Sequence, residues 1–190
     1  MTTLEIVALI VVALAAVIIG SLAWWQSKRR LARTTDLQER FGTEYDRTVQ
    51  KQGSERAGQA KLMGLEKRVE KLKIRDLEPA ERVRFLEQWQ SAQTHFVDSP
   101  TAAVMQADEL VTSLMQTRGY PVSDFEQRAA DISVDHPKVT ENYRAAHAIA
   151  LRLGKSETNT EDLRTAMVHY HSLFEELVQT QPVVDKKVAA

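Results

Sequence analysis

The stretch that decides the fold runs from Pro79 to Gly119 and reads PAERVRFLEQWQSAQTHFVDSPTAAVMQADELVTSLMQTRG. Proline is favoured in the first turn of a helix, so Pro79 predicts a helix start, and the apolar period continues to about Val97. Ser99-Pro100 is a capping residue followed by a proline, and Gly119 is a typical helix-ending residue. The stretch therefore predicts two consecutive helices joined by a very short turn.

The first of these helices has an unusually wide apolar face. Two adjoining stripes run along it, one of Phe85, Trp89, Ala92 and Phe96 and the other of Val83, Leu86, Gln90 and Val97. Successive members of a stripe are three or four residues apart and so share one side of a helix. A face this wide predicts that the helix is buried in a core.

Helical periods also occupy the sequence on both sides of this stretch. Upstream, apolar residues recur at helical spacing, first as Leu37, Phe41, Tyr45 and Val49 and then as Leu62, Leu65, Val69 and Leu72. The predicted caps of the remaining helices are Thr35 or Asp36, Ser123, Asp135 and Thr160. The polar, glycine-containing stretch 50–58 predicts a break. No alternating run is long enough for a strand, so the predicted class is all-α.

The amino-terminal run Ile6–Trp25 has twenty residues without a charge, followed by the basic residues Lys28, Arg29, Arg30 and Arg33. Twenty helical residues span about 30 Å, the thickness of the hydrocarbon core of a bilayer. The run therefore predicts a transmembrane anchor, in preference to a buried core helix or a cleaved signal peptide. Because the basic cluster follows the span, we expect the amino terminus outside and residues 26–190 in the cytoplasm of a single-pass cell-membrane protein.

The charge is unevenly distributed. Residues 28–75 hold 14 Lys or Arg against 7 Asp or Glu, and residues 76–190 hold 11 against 18. The basic half is interpreted first as a solvated helical surface, second as a surface that adheres to anionic lipid, and third as a nucleic-acid site. A basic surface facing the acidic bundle of its own or a neighbouring chain is a further interpretation.

These observations predict four segments. They are a transmembrane anchor at 1–25, a basic juxtamembrane helical stalk at 26–75, a helical bundle at 76–178 and a disordered tail at 179–190. The chain has no cysteine, which excludes disulfides, thiolate zinc sites and cysteine nucleophiles.

Side chains capable of acid–base chemistry concentrate in one part of the sequence. They are Asp124, Glu126, Arg128, Asp131, Asp135, His136 and His147. Their spacing matches no helical metal pair, phosphate loop or nucleophile motif, so no catalytic residue, metal or cofactor is predicted. The simpler interpretation is that they cap helices and form ion pairs, with Arg128 facing a carboxylate and His147 hydrogen-bonded at the edge of the core.

Two strings, RFGTEYDR at 40–47 and YPVSDFEQRAADISVDHP at 120–137, are distinctive. Through these strings the chain resembles a group of small bacterial proteins with a single membrane span, over most of residues 37–178. The group has no assigned activity. The resemblance thus implies a bacterial, membrane-anchored helical protein and carries over no site residue.

Two classes of function follow. The first is a structural or interaction module that meets a lipid bilayer and a cytoplasmic protein partner, with the small residues Ala16 and Gly20 also permitting a homo-oligomer. The alternative is an enzyme or ligand-binding domain that uses the region between Asp124 and His147. Trp89 is a candidate contact residue for a partner. A shallow apolar groove on the bundle would favour the first class, and a deep pocket of convergent polar groups the second.

Overall fold

The computed structural model describes residues 20, 21, 24, 25, 28, 31–121, 123–153 and 159–179. From residue 43 onward, its described helices are α1 (Thr43–Gln52), α2 (Glu55–Val69), α3 (Pro79–Asp98), α4 (Pro100–Thr117), α5 (Phe125–Asp135), α6 (Pro137–Ala150) and α7 (Thr160–Gln179). Among the described residues there is no strand, so the all-α prediction is confirmed. The chain divides into two compact units, residues 1–40 and residues 41–190.

In the first unit, residues 31–40 are helical. Thr35, a predicted cap, lies inside this helix instead, and its hydroxyl donates to the Leu31 carbonyl oxygen at 3.1 Å. Lys28 and Arg33 are exposed, and the Lys28 ammonium lies 4.5 Å from the centroid of the Trp24 ring. Arg29 and Arg30 lie outside the described residues.

The predicted transmembrane helix is wrong: within the described ranges, no helix is long and apolar enough to cross a bilayer. Each helix from α1 to α7 combines its apolar stripe with charged or amide side chains, and a charged side chain at the centre of a bilayer costs about 2.5–3.5 kcal/mol. The single-pass cell-membrane localisation, with an external amino terminus and a cytoplasmic bundle, depended on that helix and is corrected with it. Most of the predicted segment, residues 1–19, lies outside the described residues.

In the second unit, α3 packs on α4, α4 on α7, α7 on α6, and α6 on α5. One apolar core joins these helices, with the fully buried side chains of Phe85, Leu114, Tyr143, Tyr170 and Phe174 among its largest members. A capping box between Glu78 and Glu81, with a proline after the first of them, starts α3. Helix α3 stands at one edge of this arrangement, because α4 is the helix it chiefly contacts.

The edge position of α3 corrects the predicted wide core face. The stripe that includes Phe85, Trp89 and Ala92 is buried. In the second stripe, Val83 is 55% exposed, Leu86 48% and Val97 83%. Only one side of an edge helix meets the core, so the second stripe remains on the surface.

Helices α1 and α2 form a hairpin with its own buried apolar residues, which lie outside the main core: Phe41, Tyr45, Leu62, Leu65 and Val69. Gly53, at a φ of +73°, ends α1, and the Ser54 hydroxyl caps α2 by accepting from the Ala57 amide at 3.3 Å. This confirms the predicted break. At Gly58 the two helices approach so closely that a Cβ atom would lie 2.7 Å from a methyl carbon of Val49.

The segment between α2 and α3 is attached to the end of α4. The Arg75 amide donates to the Arg118 carbonyl oxygen at 2.8 Å. The buried Arg118 guanidinium donates to the carbonyl oxygens of Leu177 at 3.0 Å and of Arg75 at 3.3 Å. Gly119 has a φ of +101°, and a Cβ there would lie 2.4 Å from the Lys73 carbonyl oxygen. This junction needs a glycine both for its backbone conformation and for space.

Candidate functional site

The polar residues predicted as a possible site do not converge on one place. Asp124 is the N-cap residue of α5, whereas the sequence predicted Ser123. The Asp124 carboxylate accepts a hydrogen bond from the backbone amide of Gln127 at 3.0 Å. Glu126, two residues further along the chain, has partners on other helices. The predicted constellation therefore separates into several local structures, each holding helices together.

Glu126 is the centre of a cluster of cations. Its carboxylate lies 3.0 Å from the Arg144 guanidinium, 3.2 Å from the Lys51 ammonium and 3.6 Å from the Arg47 guanidinium. Burial raises the pKa of Glu126, but the three cations outweigh it and the net pKa is below the ordinary value. Arg144 also donates to both oxygens of the buried Glu44 carboxylate, at 2.6 and 3.1 Å. These contacts join α1 to α5 and α6.

Asp131 is fully buried and has an equally specific set of partners. Arg68 donates to its two oxygens, at 3.0 and 3.4 Å. Gln127 donates to Oδ1 at 2.7 Å. A buried carboxylate is stable only when it is paired and hydrogen-bonded, and Asp131 meets both conditions. It therefore anchors α2 to α5.

Asp135 and His136 lie at the junction between α5 and α6. The Asp135 carboxylate accepts from the Tyr120 hydroxyl at 3.0 Å, so it does not cap α6 as predicted; His136 is the N-cap residue. His136 is buried, and its Nδ1 lies 3.2 Å from the Glu176 carboxylate. Burial lowers the pKa of His136 more than Glu176 raises it. The ring is therefore neutral near pH 7, and its Nδ1–H group donates a hydrogen bond to the Glu176 carboxylate.

Arg128 and His147 lie in a further group, which also contains Asp108 of α4 and Tyr170 of α7. Arg128 does not face a carboxylate as predicted: it donates to the Tyr143 hydroxyl at 3.3 Å and to the Ser123 carbonyl oxygen at 2.7 Å. The Tyr170 hydroxyl donates to Asp108 at 2.7 Å. These bonds join α4, α5, α6 and α7.

Among the described residues, the buried Nδ1 atom of His147 has no hydrogen-bond partner, and it lies 3.7 Å from the Asp108 carboxylate. The Phe125 ring is stacked on the imidazole, with centroids 3.6 Å apart. Burial lowers the pKa of His147. Across the described part of the chain, no group of three His, Cys, Asp or Glu residues is arranged to hold a metal ion. The neighbours that the structure gives to the His147 ring are therefore the Phe125 ring and the Asp108 carboxylate.

A groove of a different character lies between α3 and α7. Its volume is about 250 Å³, it is open to the surface, and it is lined by Trp89, Gln93, Phe96, Arg164, Met167, Val168 and His171. Val168 on the rim is 52% exposed. The groove is shallow and mostly apolar, with Arg164, Gln93 and His171 as its polar side chains.

Trp89 is a lining residue of the groove that is almost fully buried. It is 4% exposed, and its ring stacks on the ring of His171, with centroids 5.1 Å apart, and on the ring of Phe174, with centroids 4.7 Å apart. Its buried Nε1 atom has no acceptor within hydrogen-bonding distance among the described residues. Buried polar groups of native proteins nearly always have a partner, so this donor needs an explanation.

Sequence reasoning identified Trp89 but not the other residues of the groove. Of those from α7, Met167 has the helical spacing of Leu163 and Tyr170, which is typical of a residue that faces a core. The sequence feature that could have indicated an exposed binding surface is the second stripe of α3. With that stripe, the helix is apolar over more of its surface than one neighbouring helix can cover.

No protein-family model matches the chain, and no significant match was found among curated proteins or among solved structures.

Proposed function

We propose that the chain is a protein-interaction module that binds an amphipathic helix of a partner protein along α3. The binding surface, here called the α3 face, consists of the α3–α7 groove and the exposed stripe beside it, Val83, Leu86, Gln90, Gln93 and Val97. The single observation that carries this proposal is the groove with its aromatic floor of Trp89 and Phe96.

The exposure of apolar side chains supports a binding role for the α3 face. Val83, Leu86, Val97 and Val168 are each about half exposed or more. Burial of apolar surface contributes about 25 cal/mol per Å², so a partner that covers these side chains gains binding free energy. Large apolar side chains exposed together on one surface are typical of interaction sites on folded proteins.

The shape of the surface indicates a helix as the occupant. The stripe follows one helix at alternating spacings of three and four residues, which is the spacing at which side chains of a second helix interdigitate. Amphipathic helices that bind in grooves place apolar anchors at positions i, i+3 or i+4, and i+7. We therefore expect a partner helix with that pattern.

Hydrogen-bond donors at the groove define the polar part of the partner. They are the Gln93 side-chain amide and the Arg164 guanidinium, the second of which also donates to Glu161 at 2.9 Å. Donors on one side are complementary to carboxylate or carbonyl acceptors on the other. The partner helix should carry an Asp or Glu beside its apolar anchors.

The contacts made by residues between Asp124 and His147 also favour an interaction module over an enzyme or ligand-binding domain. Glu126, Asp131 and His136 each bind a residue of another helix, and those contacts hold the bundle together. Removing them to bind a substrate would leave buried charges or polar atoms without partners, which is costly.

Site-specific photo-crosslinking tests this function. Benzoylphenylalanine replaces Val168 in the groove or, as a matched control, Leu151, which is 65% exposed outside it. Each full-length variant is irradiated in cells that produce the protein, and the adducts are mapped by mass spectrometry. The proposal predicts adducts from position 168 alone, on a helix with apolar residues at i, i+3 or i+4, and i+7. Equal adducts from position 151, or attachment to segments without that pattern, would contradict it.

A further inference from the structure

Three cationic side chains from two helices converge on one carboxylate, that of Glu126 in the first turn of α5. Arg47 and Lys51, four residues apart and so on one side of α1, lie 3.6 and 3.2 Å from its oxygens. Arg144 of α6 lies 3.0 Å away. Although burial raises its pKa, these cations hold the pKa of Glu126 below the ordinary value. The carboxylate therefore lies where an anion is stabilised.

The Arg144 guanidinium is held in its position by a second carboxylate. Its Nε and Nη2 atoms donate to the two oxygens of Glu44, at 2.6 and 3.1 Å, while its Nη1 atom donates to Glu126 at 3.0 Å. Both members of the pair with Glu44 are largely buried. A donor that is already fixed loses little freedom when a ligand binds. Arg144 would therefore keep its Nη1 donor in place for another anion.

Glu126 can be replaced at this position without leaving a buried charge alone. Its side chain is 48% exposed, so water would hydrate its carboxylate after a rotation away from the cations. Asp131 differs, because it is fully buried and would lose its partners without gaining water. An incoming anion would also keep Arg47, Lys51 and Arg144 paired. The exchange of Glu126 for another anion is therefore physically reasonable.

The charges around this position indicate what the other anion is. Without Glu126, three cations and one anion, Glu44, remain, which leaves a net charge of +2. A phosphoryl group carries about −1.5 to −2 charges at pH 7 and has three strong acceptor oxygens. It matches both the charge and the three donors, whereas a carboxylate has one charge and two oxygens. The amino-terminal end of α5 adds to the attraction of an anion.

We propose that Arg47, Lys51 and Arg144 form a binding site for a phosphoryl group, in which the Glu126 carboxylate occupies the place of the ligand and gives way to it. The residues of this phosphoryl site belong to α1, α5 and α6, whereas the α3 face belongs to α3 and α7. The site thus goes beyond the proposed function, and its ligand is free phosphate or a small phosphate monoester.

Calorimetric titration of the full-length chain with inorganic phosphate tests the phosphoryl site. The ionic strength is held constant with potassium chloride, so that screening of the charges does not change. We expect one saturable site per chain. Glu126→Gln removes the competing charge and keeps the shape of the side chain, so the dissociation constant should fall at least about fivefold. No saturable binding in this variant, or binding no tighter than in the natural chain, would overturn the proposal.

Matched variants separate a defined site from general attraction between anions and cations. Lys51 is 63% and Arg47 50% exposed, so Lys51→Ala and Arg47→Ala should fold. Each should weaken phosphate binding at least about fivefold when combined with Glu126→Gln. Glu161→Gln is the control, because it removes the carboxylate partner of the exposed Arg164 and should create no site. Equal binding to the Glu161→Gln variant, or no effect of Lys51→Ala, would overturn the phosphoryl site.

Glycerol phosphate is the second probe and distinguishes the two sources of the phosphoryl group. If it binds the Glu126→Gln variant more tightly than inorganic phosphate does, the ligand is a phosphate monoester. The reverse order assigns free phosphate, and both results support the site. Glycerol is the control for the remainder of the probe. Binding of glycerol as tight as that of glycerol phosphate would contradict recognition of a phosphoryl group.

Discussion

The guanidinium of Arg144 donates to Glu44 at 2.6 Å from a position one hundred residues further along the chain. Both side chains are largely buried, with 12% and 7% of their surfaces exposed. The Arg144–Glu44 pair places a cation of the acidic half against an anion of the basic half. The neighbouring contacts of Glu126 and Asp131 have the opposite polarity, with cations of the basic half against anions of the acidic half. The sequence analysis gave four interpretations of the basic half. These contacts agree with the one in which its basic surface faces the acidic bundle of the same chain.

Replacing Arg144 by Ala should lower the free energy of unfolding by about 3–5 kcal/mol. The change leaves the buried Glu44 carboxylate without its cation, and an uncompensated buried charge is strongly destabilising. Chemical denaturation of the single variants and of the double variant Arg144→Ala/Glu44→Ala measures the coupling. We expect the double variant to be more stable than the sum of the single effects predicts, because it removes both charges.

The control for this cycle is the exposed pair of Arg164 and Glu161, whose side chains are 60% and 66% exposed. Arg164→Ala should change the free energy of unfolding by less than about 1 kcal/mol, as is usual for surface ion pairs. Equal costs for Arg144→Ala and Arg164→Ala would show that the buried pair does not hold α1 to α6.

The stability should decrease as the pH falls below about 6.5, the ordinary pKa of histidine. Burial lowers the pKa of His136 and of His147 in the folded state, so the unfolded chain takes up protons first. Their contribution is fully present above the unfolded pKa and is lost as the pH falls toward the folded values. Denaturation from pH 7.5 to 5 should show a smaller slope in His136→Asn, which keeps a donor for Glu176. An unchanged slope in that variant would mean that His136 titrates normally.

Replacing Gly119 by Ala should destabilise the fold by more than about 1 kcal/mol. A side chain at its positive φ is strained, and the added Cβ would clash with the carbonyl oxygen of Lys73. Gly64 is the matched control, because it lies inside α2 with open space around it. Gly64→Ala should stabilise the chain by about 0.5–1 kcal/mol, the usual gain within a helix. Thermal melts that rank the two variants in the opposite order would contradict this description of the junction.

Trp89→Ala should cost about 3–5 kcal/mol in unfolding free energy, the range for large aromatic residues in a core. Trp89→Phe should cost much less, because it keeps a ring in contact with Phe174 and removes a donor that has no acceptor in the described chain. Trp24→Ala is the control, since Trp24 is 61% exposed. A small effect of Trp89→Ala would mean that the indole is not part of the core.

The ends of the helices could be predicted because local chemistry determines them. Pro79, Ser99-Pro100 and Gly119 mark the limits of α3 and α4 in the structure, close to where they were predicted. Errors of one residue arose where two neighbours can both cap. Asn159 rather than Thr160 accepts from the Asp162 amide, at 2.8 Å.

The exposed face of α3 and the partners of the polar residues could not be predicted in this way. Whether Val97 is buried depends on which helices lie beside α3, and periodicity does not contain that information. The pairing of Arg68 with Asp131 likewise depends on the packing of α2 on α5, across 63 residues of sequence. Sequence spacing identifies neighbours on one helix, so it showed the charges but not their partners.

The most direct test of the central claim, that a helix of a partner covers the α3 face, is the rate of thiol labelling at Val97→Cys compared with Leu151→Cys. Both side chains are exposed in the single chain, Val97 at 83% and Leu151 at 65%, and the chain contains no other thiol. In extracts of cells that produce the protein, we predict that the thiol at position 97 reacts at least several-fold more slowly than that at position 151, and that the two rates become equal in denaturant. Labelling at position 97 as fast as at position 151 in the native extract would contradict the claim.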